Sequence, residues 1–225
     1  SVPTAIGSYG DHYWMLAQGR WAHPAEVMNL FGIPPGAPLR MLLVYGPVSA
    51  AQLVAAMGRS LHPADALGAL RFLIGQTRLP PKPIYASACS GLDVFAVAMD
   101  HQFGAAGWTY AFASEWRRQM ADALLTMYAS RGLTRPFIFR DARRADATLH
   151  APFAHIWFCS PPCEPFSRRN HVRSNAGIDR AAEEFRAILS YPIIHQPLGI
   201  IVENVAEIDA ESVIVALLMS LPGYQ

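Results

Sequence analysis

The side chain best placed for covalent chemistry is Cys163, within the string Cys159-Ser160-Pro161-Pro162-Cys163-Glu164-Pro165-Phe166-Ser167. Prolines on both sides fix the backbone and remove donors, so the sulfur is presented by a stiff turn and can be aimed as a nucleophile. An arbitrary free cysteine is more often a small buried hydrophobe, and Cys159, ending an apolar run, is assigned that role. A zinc site on Cys159 and Cys163 fails, because Cys89 and the eight histidines stand at no finger-like spacing. No metal is expected. A second reactive group is Glu203, in Gly199-Ile200-Ile201-Val202-Glu203-Asn204-Val205. A carboxylate ending an apolar run is costly to bury unless partnered, so Glu203 is either a capped strand end or a working acid.

Three earlier strings have the composition of small-molecule contacts. Cys89-Ser90-Gly91-Leu92-Asp93 holds one glycine, whereas a dinucleotide turn needs several to let backbone approach a pyrophosphate. NAD is therefore disfavoured. S-adenosylmethionine carries no phosphate, and a single glycine with a tight turn admits it. Ser114-Glu115-Trp116 puts an acid where ribose hydroxyls would lie and an indole beside it to cover an adenine face. In Arg140-Asp141-Ala142, Asp141 is an acceptor for an exocyclic amine. A strand-end acid taken singly is more often a helix cap or a surface charge; the order and spacing of the three together favour a binding role.

These strings must be positioned by a sheet. Short apolar runs alternate with amphipathic helices from Pro83 onward, the pattern of βα units. Strands are expected near Ile84–Ala88, Thr109–Ala113, Phe137–Phe139, His155–Cys159 and Leu198–Glu203. Helices are expected over Val94–Phe103, Trp116–Tyr128, Ala181–Ser190 and Glu211–Leu221. The fold class is α/β, a doubly wound, mostly parallel, Rossmann-like sheet with helices on both faces. Ligands bind such sheets beyond the carboxyl ends of the strands, which is where all these strings fall. Residues 1–79 differ in texture, with helical patterns at Pro24–Phe31 and Ala50–Ile74 joined by the loop Ile33-Pro34-Pro35-Gly36-Ala37-Pro38. They are expected to form an amino-terminal segment of helices, which the resemblance given below implies is a permuted segment completing the cofactor-binding domain. A proline-rich linker at Arg78–Pro83 leads into the catalytic core, residues 80–225.

Composition agrees with one globular domain: 225 residues, 52% hydrophobic and 16% charged, are enough to bury a full core. Three cysteines cannot all pair and are not spaced as a disulfide framework, which implies an intracellular location. Pro47, Pro197 and nearby charges break the apolar stretches below membrane-spanning length, so no membrane partner is expected. The chain starts at Ser1 without a charged-then-apolar leader, and is expected to be a processed product or a piece cut from something longer, the piece being favoured. A net charge of +1 says nothing for or against nucleic acid.

PPCEPFS resembles the nucleophile motif of DNA (cytosine-5) methyltransferases, and IIVENV resembles that family's ENV motif. CSGLD, SEW and RDA are similar to the cofactor motifs that precede them. Arg20, Pro24, Glu26, Leu30, Gly32 and Pro34 follow the family's R…PxE…LxG-x-P segment, and Met57–Pro63 follows its GNS-x-x-P segment. Those two segments usually come last; here they come first, as in a circular permutation, which Ile74–Lys82 would accommodate by joining neighbouring ends.

The resemblance implies transfer of a methyl group from S-adenosylmethionine to carbon 5 of cytosine in duplex DNA. The base is rotated out of the helix, Cys163 adds to carbon 6, and Glu203 acts at ring nitrogen 3. It also implies cofactor contacts by Cys89, Gly91, Asp93, Glu115, Trp116, Asp141 and Ser60, and DNA contacts by Ser167, Arg168, Arg169 and Arg173 on a loop closing over phosphates. Location would be the nucleus in a eukaryote, otherwise cytoplasm or nucleoid.

The chain departs from the family at Glu164, usually glutamine, at Asp93 and Val94, where glycines are common, and at Arg59, usually asparagine. The family's Q-x-R-x-R strand and target-recognition region do not occur in the 225 residues, so a missing carboxyl-terminal region or a second chain is expected to complete DNA binding. Two alternatives stand beside this one: an RNA cytosine-5 methyltransferase of the same family, and a non-catalytic relative kept as a binding or scaffolding module.

Overall fold

A computed structural model describes residues 14–15, 20–58, 60–132, 137–144, 148–163, 166, 175–204, 213–221 and 223–224. The chain divides into two compact units, neither of them one stretch of sequence. One comprises Ser1–Phe72, Gly91–Gly107 and Arg117–Pro136; the other comprises Leu73–Ser90, Trp108–Trp116 and Phe137–Gln225.

The first unit is mainly helical. A two-residue antiparallel pair, β1 (Trp14–Met15) with β2 (Arg20–Trp21), precedes α1 (Pro24–Leu30). α1 starts where it does because Pro24 suits a first helical position and a capping box closes on it. His23 Nδ1 accepts from the Ala25 N–H at 3.2 Å, while the Glu26 carboxylate accepts from the His23 N–H at 2.7 Å. Arg20 clamps the same carboxylate at 2.8 and 2.7 Å. A 3-10 turn (Pro38–Met41) leads into the short α2 (Leu42–Tyr45).

The single helical pattern expected over Ala50–Ile74 is two helices, α3 (Ala50–Gly58) and α4 (Pro63–Gln76). Pro63 is the reason: it lacks an N–H and biases His62 away from helical angles, so periodicity continues across a break the backbone must make. The unit also holds α5 (Val94–Phe103) and α6 (Arg118–Ser130). α6 begins and ends two residues later than its expected span.

The second unit is built on five parallel strands, β3 (Ile84–Ala88), β4 (Thr109–Ser114), β5 (Phe137–Phe139), β6 (Ile156–Cys159) and β7 (Gly199–Val202), in the order β5-β4-β3-β6-β7. The chain moves outward from β3 through β4 to β5, then returns to the other flank of β3 for β6 and β7. That reversal is the doubly wound order, and the fold class is α/β and Rossmann-like. Register aligns the carboxyl ends: Ala88 pairs with Ser114 and with Cys159, Ser114 with Phe139, and Cys159 with Val202.

β6 is buried at every position, as its unbroken apolar run Ile156-Trp157-Phe158-Cys159 requires. One face of the sheet packs through Phe112, Phe139 and Trp157 against Phe185, Ile188, Leu189 and Tyr191 of α7 (Asn175–His195). α8 (Val213–Met219) follows β7. Expected only over Ala181–Ser190, α7 runs past Pro192 because Tyr191 is needed in the core, stacked on Trp157 with ring centroids 5.8 Å apart. Gly199, the first residue of β7, stands where a Cβ would lie 2.5 Å from the Leu73 side chain. The expected linker at Arg78–Pro83 carries neither helix nor strand. Among the described residues, no helix is long and apolar enough to cross a membrane.

Candidate active site

Within the sheet unit, the last residues of β6 and β7 are laced together. The Glu203 N–H donates to the Cys159 carbonyl at 2.9 Å, the Asn204 side-chain amide donates to the Pro161 carbonyl at 3.2 Å, and the Ser160 hydroxyl donates to Glu203 Oε2 at 2.5 Å. The Ser160 N–H is itself held by the Ala88 carbonyl at 3.2 Å. Residues 159–161, which lead into Cys163, are thus fixed from β7 on one side and β3 on the other. The Phe166 N–H donates to the Cys163 carbonyl at 3.0 Å, and Phe166 is buried in the core cluster that holds Trp157 and Phe185. Cys163 is half-buried. Cys163 follows, by three residues, the serine that bonds Glu203; a thiol suits nucleophilic attack and a carboxylate suits proton transfer.

Cys159, four residues earlier, is in a different state. It is fully buried, and burial pushes its thiol well above the ordinary range, with the neighbouring Cys89 thiol adding to the shift. A thiol kept protonated is a poor nucleophile, in agreement with the structural role expected for it.

The ends of β3, β4 and β5 bring the other expected residues of this unit to the same edge of the sheet. Cys89 is half-buried at φ 54°, a left-handed conformation that is costly for a side chain with a Cβ. The turn is held by Ser90, whose N–H donates to the Ser114 carbonyl at 2.9 Å and whose Oγ lies 2.7 Å from Ser87 Oγ. Glu115 is buried at 3% exposure, with its N–H donating to the Phe139 carbonyl at 2.9 Å, while Trp116 next to it is 71% exposed. The pair therefore offers an acid within the strand ends and an indole face open outside them.

Asp141 is occupied by a residue the sequence did not single out. Arg143 Nε donates to Asp141 Oδ1 at 2.9 Å and its terminal nitrogen donates to Oδ2 at 2.7 Å; it also reaches Glu184 Oε1 at 3.0 Å. The Arg143 guanidinium holds the Asp141 carboxyl below its ordinary value, and Asp141 raises Arg143 in return. Any ligand amine meeting Asp141 would share it with a cation.

Gly91, Asp93 and Ser60 belong to the helical unit. Gly91 (φ 54°) and Asp93 (φ 47°) both take left-handed angles ahead of α5; aspartate tolerates that region better than most residues. The Asp93 carboxylate is buried and accepts from the Tyr128 hydroxyl at 2.6 Å. Ser60 Oγ donates to the Ala56 carbonyl at 2.7 Å, at the turn after α3. The expected DNA-contacting residues Ser167, Arg168, Arg169 and Arg173 lie outside the described residues, as do Arg59 and Glu164.

Sequence patterns missed Ser160, Arg143 and Tyr128 as partners of expected site residues. Ser160 stands in the most informative string of the chain, but only strand register shows which side chain it faces.

No family model and no curated protein matches this chain. Among solved structures it is similar to the crystal structure of TrmN from Thermus thermophilus, at 14% identity and a TM-score of 0.49, with 72% of this chain and 43% of that chain covered.

Proposed function

We propose that this chain transfers a methyl group from S-adenosylmethionine to carbon 5 of cytosine in duplex DNA, through a covalent adduct of Cys163 on a base rotated out of the helix. The observation that carries the proposal is the lacing of Glu203 and Asn204 to residues 159–161, which fixes an acid and the nucleophile's turn to one another at the carboxyl ends of adjacent strands. Cys163, as thiolate, adds to carbon 6, and Glu203 shares a proton with ring nitrogen 3, so that electron density collects at carbon 5. Carbon 5 would then take the sulfonium methyl group, with S-adenosylhomocysteine as the leaving group; loss of the carbon 5 proton to a base and departure of the thiolate would restore the aromatic ring.

The strand ends of the sheet unit fit the proposed methyl donor chemically. Glu115 is a buried carboxylate suited to ribose hydroxyls, Trp116 is an exposed indole suited to an adenine face, and a single-glycine turn suits a ligand without pyrophosphate. S-adenosylmethionine supplies a sulfonium methyl group; Glu115, Trp116 and the Cys89 turn orient it. Ser167, Arg168, Arg169 and Arg173 are proposed to meet DNA phosphates, with a further segment or partner chain supplying target recognition.

The deciding experiment is covalent trapping. The chain is incubated with S-adenosylmethionine and duplex DNA carrying 5-fluorocytosine, with Cys163→Ala as control. A denaturant-stable adduct lost in the variant is the expected result. No adduct despite cofactor binding by calorimetry would favour a binding module, and an adduct on RNA alone would move the substrate to RNA.

A further inference from the structure

We infer that Ser160 is a positioning residue for Glu203: its hydroxyl holds one carboxylate oxygen and so leaves the other directed for proton exchange with the target base. The inference rests on the cytosine chemistry proposed above and extends it to a side chain which that chemistry does not itself require.

Three observations support it. The Ser160 hydroxyl donates to Glu203 Oε2 at 2.5 Å, within the range of a strong hydrogen bond from a hydroxyl to a carboxylate. Ser160 is itself immobilised: its N–H is tied to the Ala88 carbonyl at 3.2 Å, and as the residue before Pro161 it is confined to extended angles. Among the described residues, Glu203 Oε1 has no hydrogen-bond partner, and the residue is half-buried.

The chemistry favours this kind of support. A catalytic acid needs a fixed orientation and one oxygen left uncommitted. A neutral hydroxyl gives both, since it donates one bond and imposes no fixed charge on a carboxyl that must both hold and release a proton. An arginine fork would engage both oxygens and oppose protonation. The serine also belongs to the segment that leads into Cys163, so one residue couples the acid's orientation to the nucleophile's turn.

The test is a double-mutant cycle on the full chain, with the rate of Cys163 adduct formation on 5-fluorocytosine duplex DNA as readout and S-adenosylmethionine affinity measured separately. Ser160→Ala is expected to slow adduct formation by roughly tenfold to a hundredfold, the loss of a hydrogen bond to a charged group, with cofactor affinity unchanged. Ser160→Thr, which keeps the hydroxyl, is expected to restore most of the rate. In a Glu203→Gln background, Ser160→Ala is expected to add little further loss. Should Ser160→Ala fail to fold, Ser160→Cys takes its place, with a weaker donor and an intermediate rate expected. An unaltered rate in Ser160→Ala, or losses that multiply independently in the double variant, would overturn the role of Ser160 while leaving the cytosine chemistry standing. Failure of the unsubstituted chain to form any adduct overturns the cytosine chemistry itself, and with it the catalytic use of the Ser160–Glu203 pair.

Discussion

Two carboxylates at the carboxyl edge of the same sheet are held in opposite ways. Asp141, after β5, has both oxygens engaged by the Arg143 guanidinium, which is tied in turn to Glu184. Glu203, after β7, has one oxygen engaged by an uncharged serine and the other without a partner among the described residues. A guanidinium fork favours the charged form of a carboxylate and engages both of its oxygens; a hydroxyl fixes its direction and leaves it able to exchange a proton. Residue type alone would make the two equivalent. Their partners suit Glu203 to chemistry and Asp141 to holding position and charge.

The largest effect expected from this contrast is at Glu203 and Cys163. Cys163→Ala is expected to abolish the adduct while calorimetry still finds S-adenosylmethionine bound, and Cys159→Ala is expected to leave the adduct intact. If the Cys159 variant lost the adduct and the Cys163 variant kept it, the assignment of the two sulfurs would be reversed. Glu203→Gln is expected to slow adduct formation by about 10²- to 10⁴-fold, the usual span for removing an acid–base group, measured in single turnover. Asp141→Asn is expected to act instead on cofactor affinity, weakening it about tenfold with adduct formation at saturating cofactor little changed. A fall in the saturated rate as large as that of Glu203→Gln would erase the distinction between the two acids.

Smaller effects concern the ion pairs. Arg143→Ala is expected to cost roughly 0.2–1 kcal/mol at neutral pH, because the pair is partly exposed and screened. The sign follows from the depressed Asp141 carboxyl: the contribution is present above its ordinary value of 3.8 and is lost as pH falls through the depressed one. Urea unfolding of parent and variant should therefore differ at neutral pH and converge in strong acid. The smallest change is at the exposed Arg20–Glu26 pair, where the Arg20 hydrogen bond brings the Glu26 carboxyl down to about 2. In Arg20→Ala, NMR titration of Glu26 is expected to return towards its ordinary value of 4.5.

Much of this contrast was hidden in the linear chain for a geometric reason. Strands β3, β4 and β5 follow their apolar runs closely, since a largely buried parallel strand such as β3 leaves a continuous local signature, and β5 keeps it although Phe137 is exposed. The strand ends were legible for the same reason, and Cys89, Glu115, Asp141, Cys163 and Glu203 do reach one edge of one sheet. Helix bounds were less legible. The pattern across Ala50–Ile74 conceals the break that Pro63 imposes, and the carboxyl-terminal extension of α7 depends on Tyr191 finding Trp157, a contact 34 residues distant in sequence.

By itself the sequence determined which residue types stand at the strand ends, that prolines flank Cys163, and that an alternation of apolar runs and amphipathic segments forms a doubly wound sheet. These are properties of composition and spacing along the chain. Only the tertiary structure decided which carboxylate meets a guanidinium and which meets a serine hydroxyl, because that depends on which strand ends lie side by side: pairing Cys159 with Val202 brings Ser160 to Glu203, though they lie 43 residues apart. Hydrogen bonds form between neighbours in space, and at this site those neighbours come from separate strands.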